Sequence, residues 1–450
     1  MSKLIVELYG SVLGTITQDR NRLNFEVDRN VFEKYPLSST IMSISVPLNL
    51  RYTNAQKKRA DIFFTELLPE GRNLEWLTQS LPRDERTLYG LLRRYGKDIA
   101  GALSVYDPDD PKSSTNAEAE PVDNEGVRYL LEHMPQAALG NSPVSGRTSL
   151  GGVQGKILLA KIGTIWHRVH NGYPSTHILK PCAPEYPTMI YDEAFCMQMA
   201  YDAQLTGHPV WIEHFDGADA LVIERYDRSN DRNNNKNNNR NNDRNNDKSN
   251  GSSNDRSNGR SNDVSGARIH QEDFNQALGA RGYEKYQEYG GKISAKRIAQ
   301  TLLRFGRRED VKKFASQLVF AIAIGNLDMH AKNISILHLP DESITLAPSY
   351  DQVPLRHQNT DGKMALAING KYLHASITLA DIADELISWR CPDFSSEGEA
   401  DAAAFTENCL EIYRSVLNSA APHNKAYPNL KTEISLIISR LLYGQEIGAA

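Results

Sequence analysis

The sequence predicts an α+β chain in three parts: an N-terminal mixed α/β subdomain, a small antiparallel-sheet lobe and an all-α C-terminal lobe. Three observations point to it. Short apolar–polar alternations crowd the first fifty residues; a second group, with one helix among them, runs from 154 to 226; beyond 267, apolar residues recur mostly at helical spacing. A chain of 450 residues, 40% hydrophobic and 24% charged, holds apolar material for more than one core.

In the first part, residues 4–9, 12–16, 23–27 and 41–48 read as strands, each broken by Gly, Asn or Asp. A helix is expected from Ala55 through Phe63, Phe64, Leu67 and Leu68 to Pro69-Glu70-Gly71, with further helices around 74–77 and 88–92. No pattern there suggests catalysis. Residues 107–123 open Asp107-Pro108-Asp109-Asp110-Pro111 and carry Glu118, Glu120 and Asp123 with almost no apolar residue, so they read as an acidic linker. The first module is then 1–106 and the second 124–228.

In the second part, strands 156–161 and 165–169 flank a turn at Ile162-Gly163-Thr164, and 177–180 is a third strand. A helix passes through Tyr191, Glu193, Phe195, Met197 and Met199, and a hairpin joins 211–215 to 220–226 about Asp216-Gly217. Residues 229–266 consist almost wholly of Asn, Asp, Arg, Ser and Gly; such a stretch buries nothing and is expected to be a disordered excursion from a surface turn. It carries seven Lys/Arg against five Asp, so the remainder of the chain stands at −7 where the whole stands at −5, which does not indicate a globally basic nucleic-acid binder. The third part, 267–450, reads as helices over 295–305, 310–324, 379–389, 405–417 and 432–442, with one hairpin of strands 334–339 and 343–346.

Composition excludes several classes. No run of about 18 apolar residues occurs, so a transmembrane helix is not expected. The N-terminus meets Glu7 and Gly10 before an apolar signal region builds up. Cys182, Cys196, Cys391 and Cys409 are scattered, without the close pairs of a zinc site or the density of a disulfide scaffold. A reducing, cytoplasmic setting is the expectation.

The chemistry concentrates after the helix carrying Phe314, Leu318, Val319, Phe320, Ile322 and Ile324. It is apolar nearly all round, stops at Gly325 and leads at once into Asn326-Leu327-Asp328-Met329-His330-Ala331-Lys332-Asn333. An aspartate and an asparagine five residues apart, between a buried helix and a hairpin, match the D-x-x-x-x-N spacing of a kinase catalytic loop. In that chemistry the aspartate accepts the proton of an attacking hydroxyl while the asparagine oxygen holds magnesium; Asp351, in Ser349-Tyr350-Asp351, supplies the second ligand. Single Asp-x-x-x-x-Asn pairs arise often by chance, and only the ordered context raises this one above a cap or a turn. Upstream, Lys180 ends an apolar strand and Glu193 follows thirteen residues later on a helix, the order of a phosphate-gripping lysine held by a glutamate. Glu224-Arg225-Tyr226 stands where a hinge would meet an adenine edge. Ser149-Leu150-Gly151-Gly152-Val153-Gln154-Gly155-Lys156 is glycine-rich enough for backbone amides to approach phosphates, although it is neither G-x-G-x-x-G nor a P-loop.

Assembled in this order, the chain resembles the HipA family of toxin serine/threonine kinases from bacterial toxin–antitoxin modules. Phe63-Phe64-Thr65-Glu66-Leu67-Leu68-Pro69-Glu70-Gly71 and Tyr95-Gly96-Lys97-Asp98-Ile99-Ala100-Gly101-Ala102 resemble its N-terminal signatures. Residues 149–156, His177-Ile178-Leu179-Lys180, Glu224-Arg225-Tyr226-Asp227-Arg228, His270-Gln271-Glu272-Asp273-Phe274, 328–333 and Tyr350-Asp351 fall in the family's order. The resemblance implies a two-lobed protein-kinase-like fold using ATP and Mg²⁺. It makes Asp328 the catalytic base, Asn333 and Asp351 magnesium ligands, Lys180 the phosphate grip positioned by Glu193, and Gly151 to Lys156 the phosphate loop. Glu224 to Tyr226 become the adenine hinge, with His330, Ala331 and Tyr350 also at the nucleotide and Lys332 stabilising charge at the γ-phosphate. Ser149 matches a serine whose autophosphorylation silences the kinase; about two added negative charges beside the loop would repel ATP. It also implies a helix-turn-helix antitoxin partner resembling HipB, operator DNA reached through that partner, and a translation-related protein substrate such as an aminoacyl-tRNA synthetase. The chain departs from signalling kinases in lacking H-R-D and D-F-G: Asp328 follows Asn326-Leu327, and Gln352-Val353 follow Asp351. A small-molecule kinase with the same loop, and a nucleotide-holding corepressor scaffold, are the competing readings.

Overall fold

A computed structural model of the chain describes residues 3–20, 22–110, 117–134, 139, 150, 154–228, 268–394 and 401–448. The N-terminal subdomain begins with β1 (Leu4–Leu8), β2 (Ser11–Asp19) and β3 (Arg22–Val27), followed by α1 (Asn54–Glu66), α2 (Gly71–Gln79), α3 (Leu88–Tyr95) and β4 (Ser104–Tyr106). The strands form an antiparallel sheet in the order β3-β2-β1-β4. Leu4, Val6 and Leu8 alternate into one core with Phe63, Phe64, Leu67 and Leu68 of α1 and the turn after it, as period-two and period-3.6 patterns require. Thr53 caps α1 in a capping box with Gln56.

Next come β5 (Glu118–Val122), α4 (Asn124–Glu132), β6 (Ile157–Ile162), β7 (Ile165–His170), β8 (His177–Pro181), α5 (Met189–Asp202), β9 (Val210–Phe215) and β10 (Ala218–Glu224). They build a six-stranded antiparallel sheet in the order β5-β7-β6-β8-β10-β9. Ile157, Leu159, Leu179, Ala220 and Val222 pack under α4, while Leu158 joins the core of the N-terminal subdomain. That subdomain is therefore welded to the sheet lobe.

The C-terminal lobe contains β11 (His270–Asp273), α6 (Phe274–Ala277), α7 (Gln287–Gly290), α8 (Ala295–Phe305), α9 (Arg308–Ile324), β12 (Ser335–His338) and β13 (Ile344–Leu346). It continues through β14 (Lys363–Ile368), β15 (Lys371–Leu373), α10 (Leu379–Ser388), α11 (Ala402–Ser419) and α12 (Leu430–Leu442). Its core forms around α9, where Phe314, Leu318, Val319, Phe320 and Ile322 are wholly buried. No described helix is long and apolar enough to cross a membrane.

The structure differs from the sequence expectations in four places. Residues 41–48 form no strand: the Ser43 hydroxyl and the Ile44 amide donate to Glu272 and Ser45 Oγ donates to Gln276 O, so the buried polar groups are satisfied from the C-terminal lobe instead of a ladder. The acidic segment is linker only in part, because Glu118–Val122 pairs along β7 as a charged edge strand and Asp123 caps α4. Helix α4, which the sequence reading left out, follows the Asp123 cap and buries Val127, Leu130 and Leu131 at helical spacing. The helical lobe holds, besides the expected hairpin, the strand β11 beside β12 and the β14–β15 hairpin. The Asn-rich stretch 229–266 lies outside the described residues; on either side of it Arg228 and Arg268 form an antiparallel bridge.

Candidate active site

Helix α9 ends at Gly325, whose φ of +69° is left-handed and where a Cβ would meet the Cβ of Arg356 at 3.0 Å, so glycine is needed for both reasons. The chain then turns through the loop 326–333. The Asn326 side-chain oxygen accepts the Asp328 amide at 3.0 Å, and Asn333 Nδ2 donates to the Asp328 carbonyl at 2.9 Å, closing the loop over a 3₁₀ turn at Ala331–Asn333. Asn326 also reaches Gln352 Oε1 at 3.2 Å, tying this loop to the segment of Asp351.

The Asp328 carboxylate remains partly open to solvent, with Tyr286 Oη donating to its Oδ1 at 3.0 Å. Burial and the neighbouring Asp351 push its pKa up to about 6, against the Tyr286 hydrogen bond. His330 lies 3.9 Å from the other oxygen through Nε2; burial holds this imidazole down to about 3, so it is neutral, and its Nδ1 is buried without a partner.

Across the cleft, Lys180 on β8 donates to Glu193 of α5 at 2.7 Å and to Asp351 at 2.6 Å. Burial opposes the ammonium, but Asp351 and Glu193 outweigh it and hold Lys180 above its ordinary value. Glu193 is fully buried and is pushed above the usual carboxylate range by that burial. Asp351 adopts φ +55°, a left-handed conformation rare outside glycine and the kind of strain that collects at functional sites. Lys156, at the head of β6, is buried and lowered to about 8 by burial and then by Lys180. Tyr350 is half-buried, donating to the Lys332 carbonyl at 2.8 Å, and its ring lies 5.5 Å from that of Tyr226.

The sequence-predicted residues do not all face this centre. Lys180, Glu193, Asp328, His330, Asn333 and Asp351 converge on it, with Lys156 beside them. Ala331 is buried in the loop. Lys332 turns away: its ammonium donates to Glu66 at 2.9 Å and Glu70 at 2.8 Å of the N-terminal subdomain. Gln154 gives its carbonyl to Asn73 Nδ2 at 2.9 Å, and Gly155 packs on Met134. Glu224 closes β10, and the Arg225 side chain is buried against Asp227, Ser175 and the Ile99 carbonyl. Ser149, Gly151, Gly152 and Val153 lie outside the described residues. Tyr286, Asn326, Glu66 and Glu70 are functional candidates that sequence reasoning passed over. The glutamates stand within the stretch from Phe63 to Gly71, whose resemblance to the family signature is the signal in the sequence that marks them.

Lys180 takes one oxygen of Asp351, and Asn333 spends its N–H on Asp328, so each keeps an oxygen. Two hard oxygen donors beside a carboxylate suit Mg²⁺. Among the described residues no cluster of three His, Cys, Asp or Glu presents a metal site.

An ion-paired strand lysine facing an Asp-x-x-x-x-Asn loop across the seam between a small sheet and a helical lobe is the arrangement of a two-lobed kinase. A family model for the HipA-like C-terminal domain matches residues 148–422, and one for the HipA N-terminal domain matches 4–106. The chain belongs to the HipA family. The protein Y4mE of Sinorhizobium fredii is 29% identical over 382 residues, covering 83% of this chain and 81% of its own. The serine/threonine-protein kinase toxin HipA of Shewanella oneidensis is 26% identical over 369 residues, covering 78% and 74%. In fold, the chain is similar to a structure of the Shewanella oneidensis HipA, HipB and operator DNA complex, with a TM-score of 0.71 at 20% identity over 98% of this chain and 96% of that one.

Proposed function

We propose that the protein is an ATP- and Mg²⁺-dependent serine/threonine-protein kinase acting as the toxin of a toxin–antitoxin module. The observation that carries this is the placement of Lys180, bridged to Glu193 and Asp351, opposite the Asp328 loop. In this reading an acceptor hydroxyl attacks the γ-phosphorus of ATP. The new O–P bond forms as the bond to the bridging oxygen breaks and ADP leaves, while the hydroxyl proton passes to the Asp328 carboxylate. A carboxyl pushed up to about 6 is a better proton acceptor than an ordinary aspartate and is still ionised at neutral pH. Lys180 and Lys156 supply positive charge for the phosphates. Mg²⁺, held by Asn333 and Asp351, supplies neutralisation of the β- and γ-phosphate charge when bound.

Ser149 is the autophosphorylation site in this proposal, and its modification silences the enzyme. A HipB-like helix-turn-helix antitoxin is the partner, through which the protein reaches operator DNA, and the substrate is a translation-related protein, an aminoacyl-tRNA synthetase being one such target. Intact-mass analysis of wild type and Asp328→Ala after incubation with Mg²⁺ and ATP, followed by peptide mapping, tests this. A phosphate on Ser149 in the wild type alone is expected, with nucleotide binding retained in the variant. A wild type that binds ATP and stays unmodified would sink self-phosphorylation and favour a small-molecule kinase or a scaffold. Ser149→Ala is expected to keep transfer to other proteins and lose self-inactivation; a folded but inactive variant would contradict the regulatory assignment.

A further inference from the structure

The signature from Phe63 to Gly71 delivers two carboxylates to the back of the active site. Glu66, at the end of α1, and Glu70, just before α2, both accept from the Lys332 ammonium, whose side chain is only 7% exposed. The second oxygen of Glu70 accepts Lys285 Nζ at 2.8 Å, and the next residue, Tyr286, donates to Asp328. The second oxygen of Glu66 accepts the Gly282 amide at 3.1 Å, and Arg281 pairs with Asp61 of α1 at 2.7 Å. Two lysines and two glutamates thus form a cluster without net charge. One lysine belongs to the catalytic loop, the other to the segment that presents a hydroxyl to the catalytic aspartate.

From this geometry we infer that Glu66 and Glu70 are positioning residues for phosphoryl transfer: the N-terminal subdomain holds the Asp328 loop from behind through Lys332 and from the front through Lys285 and Tyr286. The inference rests on Asp328 being the base. It also reassigns Lys332. Its ammonium is bound to Glu66 and Glu70 of the N-terminal subdomain and pairs with neither Asp328 nor Asp351, so it acts as a clasp between the loop and that subdomain, whereas Lys180 is paired to Asp351 within the centre itself. Removing one partner of a buried pair leaves the other uncompensated and frees the loop to shift, and displacement of catalytic groups by about 1 Å can cost on the order of 100-fold in rate.

The test uses the full chain with Glu66→Gln, Glu70→Gln, both together, and Tyr286→Phe. Hydrogen exchange across residues 326–334, which needs no activity, is expected to quicken about tenfold or more in the double variant while protection of α9 stays unchanged. The rate of phosphate incorporation at saturating Mg·ATP is expected to drop by roughly ten- to a hundredfold, with Mg·ATP affinity within about twofold of wild type. Unchanged exchange in the loop, or an undiminished rate, overturns the inference. Should the double variant fail to fold, Tyr286→Phe, which leaves all four charges paired, decides: a full rate there overturns the frontal route. If Asp328→Ala transfers phosphate at the wild-type rate, the base assignment fails while the exchange result still stands on its own.

Discussion

Lys180 must satisfy two carboxylates at once, and that double duty makes its substitution informative. Lys180→Met leaves Glu193 buried without a cation, so a stability loss of about 3–5 kcal/mol is expected, together with loss of nucleotide affinity. Adding Glu193→Leu removes the stranded charge and should recover most of the melting temperature without recovering phosphate transfer; recovery of transfer would show that the lysine does not grip the nucleotide. Three buried imidazoles give the fold an acid limit. Burial lowers His177 to about 4, His270 to about 3 and His374 to about 4, so the unfolded chain takes up their protons first as pH falls below about 6.5. Their contribution is then full above that value and falls progressively toward pH 4, by about 2 kcal/mol per imidazole at pH 5, while the raised carboxyls of Asp328 and Glu193 shift stability the opposite way. Denaturant titrations of wild type and His374→Gln at pH 7 and pH 5 should show that acidification costs the wild type about 2 kcal/mol more than the variant. At this scale the spacing of Asp328, Asn333, Asp351, Lys180 and Glu193 along the chain was enough to single them out, and the fold brings them together. Lys332 was not, since what its ammonium does is set by glutamates 266 and 262 residues away.

Helix α9 turns burial into geometry. Phe314 stacks on Trp389 at 5.2 Å between ring centres, and the helix ends one residue before the catalytic loop. Phe314→Ala should cost about 3–5 kcal/mol in chemical denaturation and lower phosphate transfer by shifting the loop's anchor. A variant losing that stability at an unchanged rate would separate the helix from the site. The long helices were readable to within a few residues, because apolar periodicity is a local property and their caps stand in the sequence. Segment 41–48 was misread for the opposite reason: it alternates like a strand, but Ser43 answers to Glu272 and Ser45 to the Gln276 carbonyl, which no local pattern reveals. Strand β5 hid in plain acidity, since an edge strand bearing Glu118, Glu120 and Pro121 looks like linker until its neighbour is known.

Across the whole molecule, the two N-terminal signatures dock on the two halves of the kinase centre. The first reaches the catalytic loop. In the second, Asp98 accepts from Arg228 at 2.8 Å and Ser175 at 2.6 Å, Ile99 gives its carbonyl to Arg225 and Arg228, and the Gly101 amide donates to Asp227 at 2.7 Å. Burial opposes the Asp98 charge, but Arg228, Arg225 and Arg268 outweigh it and hold the carboxyl below its usual range. Asp98→Asn should therefore cost about 3–5 kcal/mol and lower a single calorimetric transition shared by the N-terminal subdomain and the sheet lobe. Two separate transitions would mean that the parts fold independently. The architecture of three parts was readable from composition, but their fusion was not, because Leu158 reads as an ordinary strand residue and the charged residues that add to the joint each look like surface.

The bridge between Arg228 and Arg268 brings the chain back to its point of departure on either side of the Asn-rich stretch. A segment whose ends already meet can change in length at small cost, since each doubling of a loop adds only about 0.6 kcal/mol of closure entropy. The position is thus a natural port for engineering: a fluorescent or affinity domain whose own termini lie close together should be accepted there in place of 229–266, giving a reporter carried on the kinase itself with both of its ends left free.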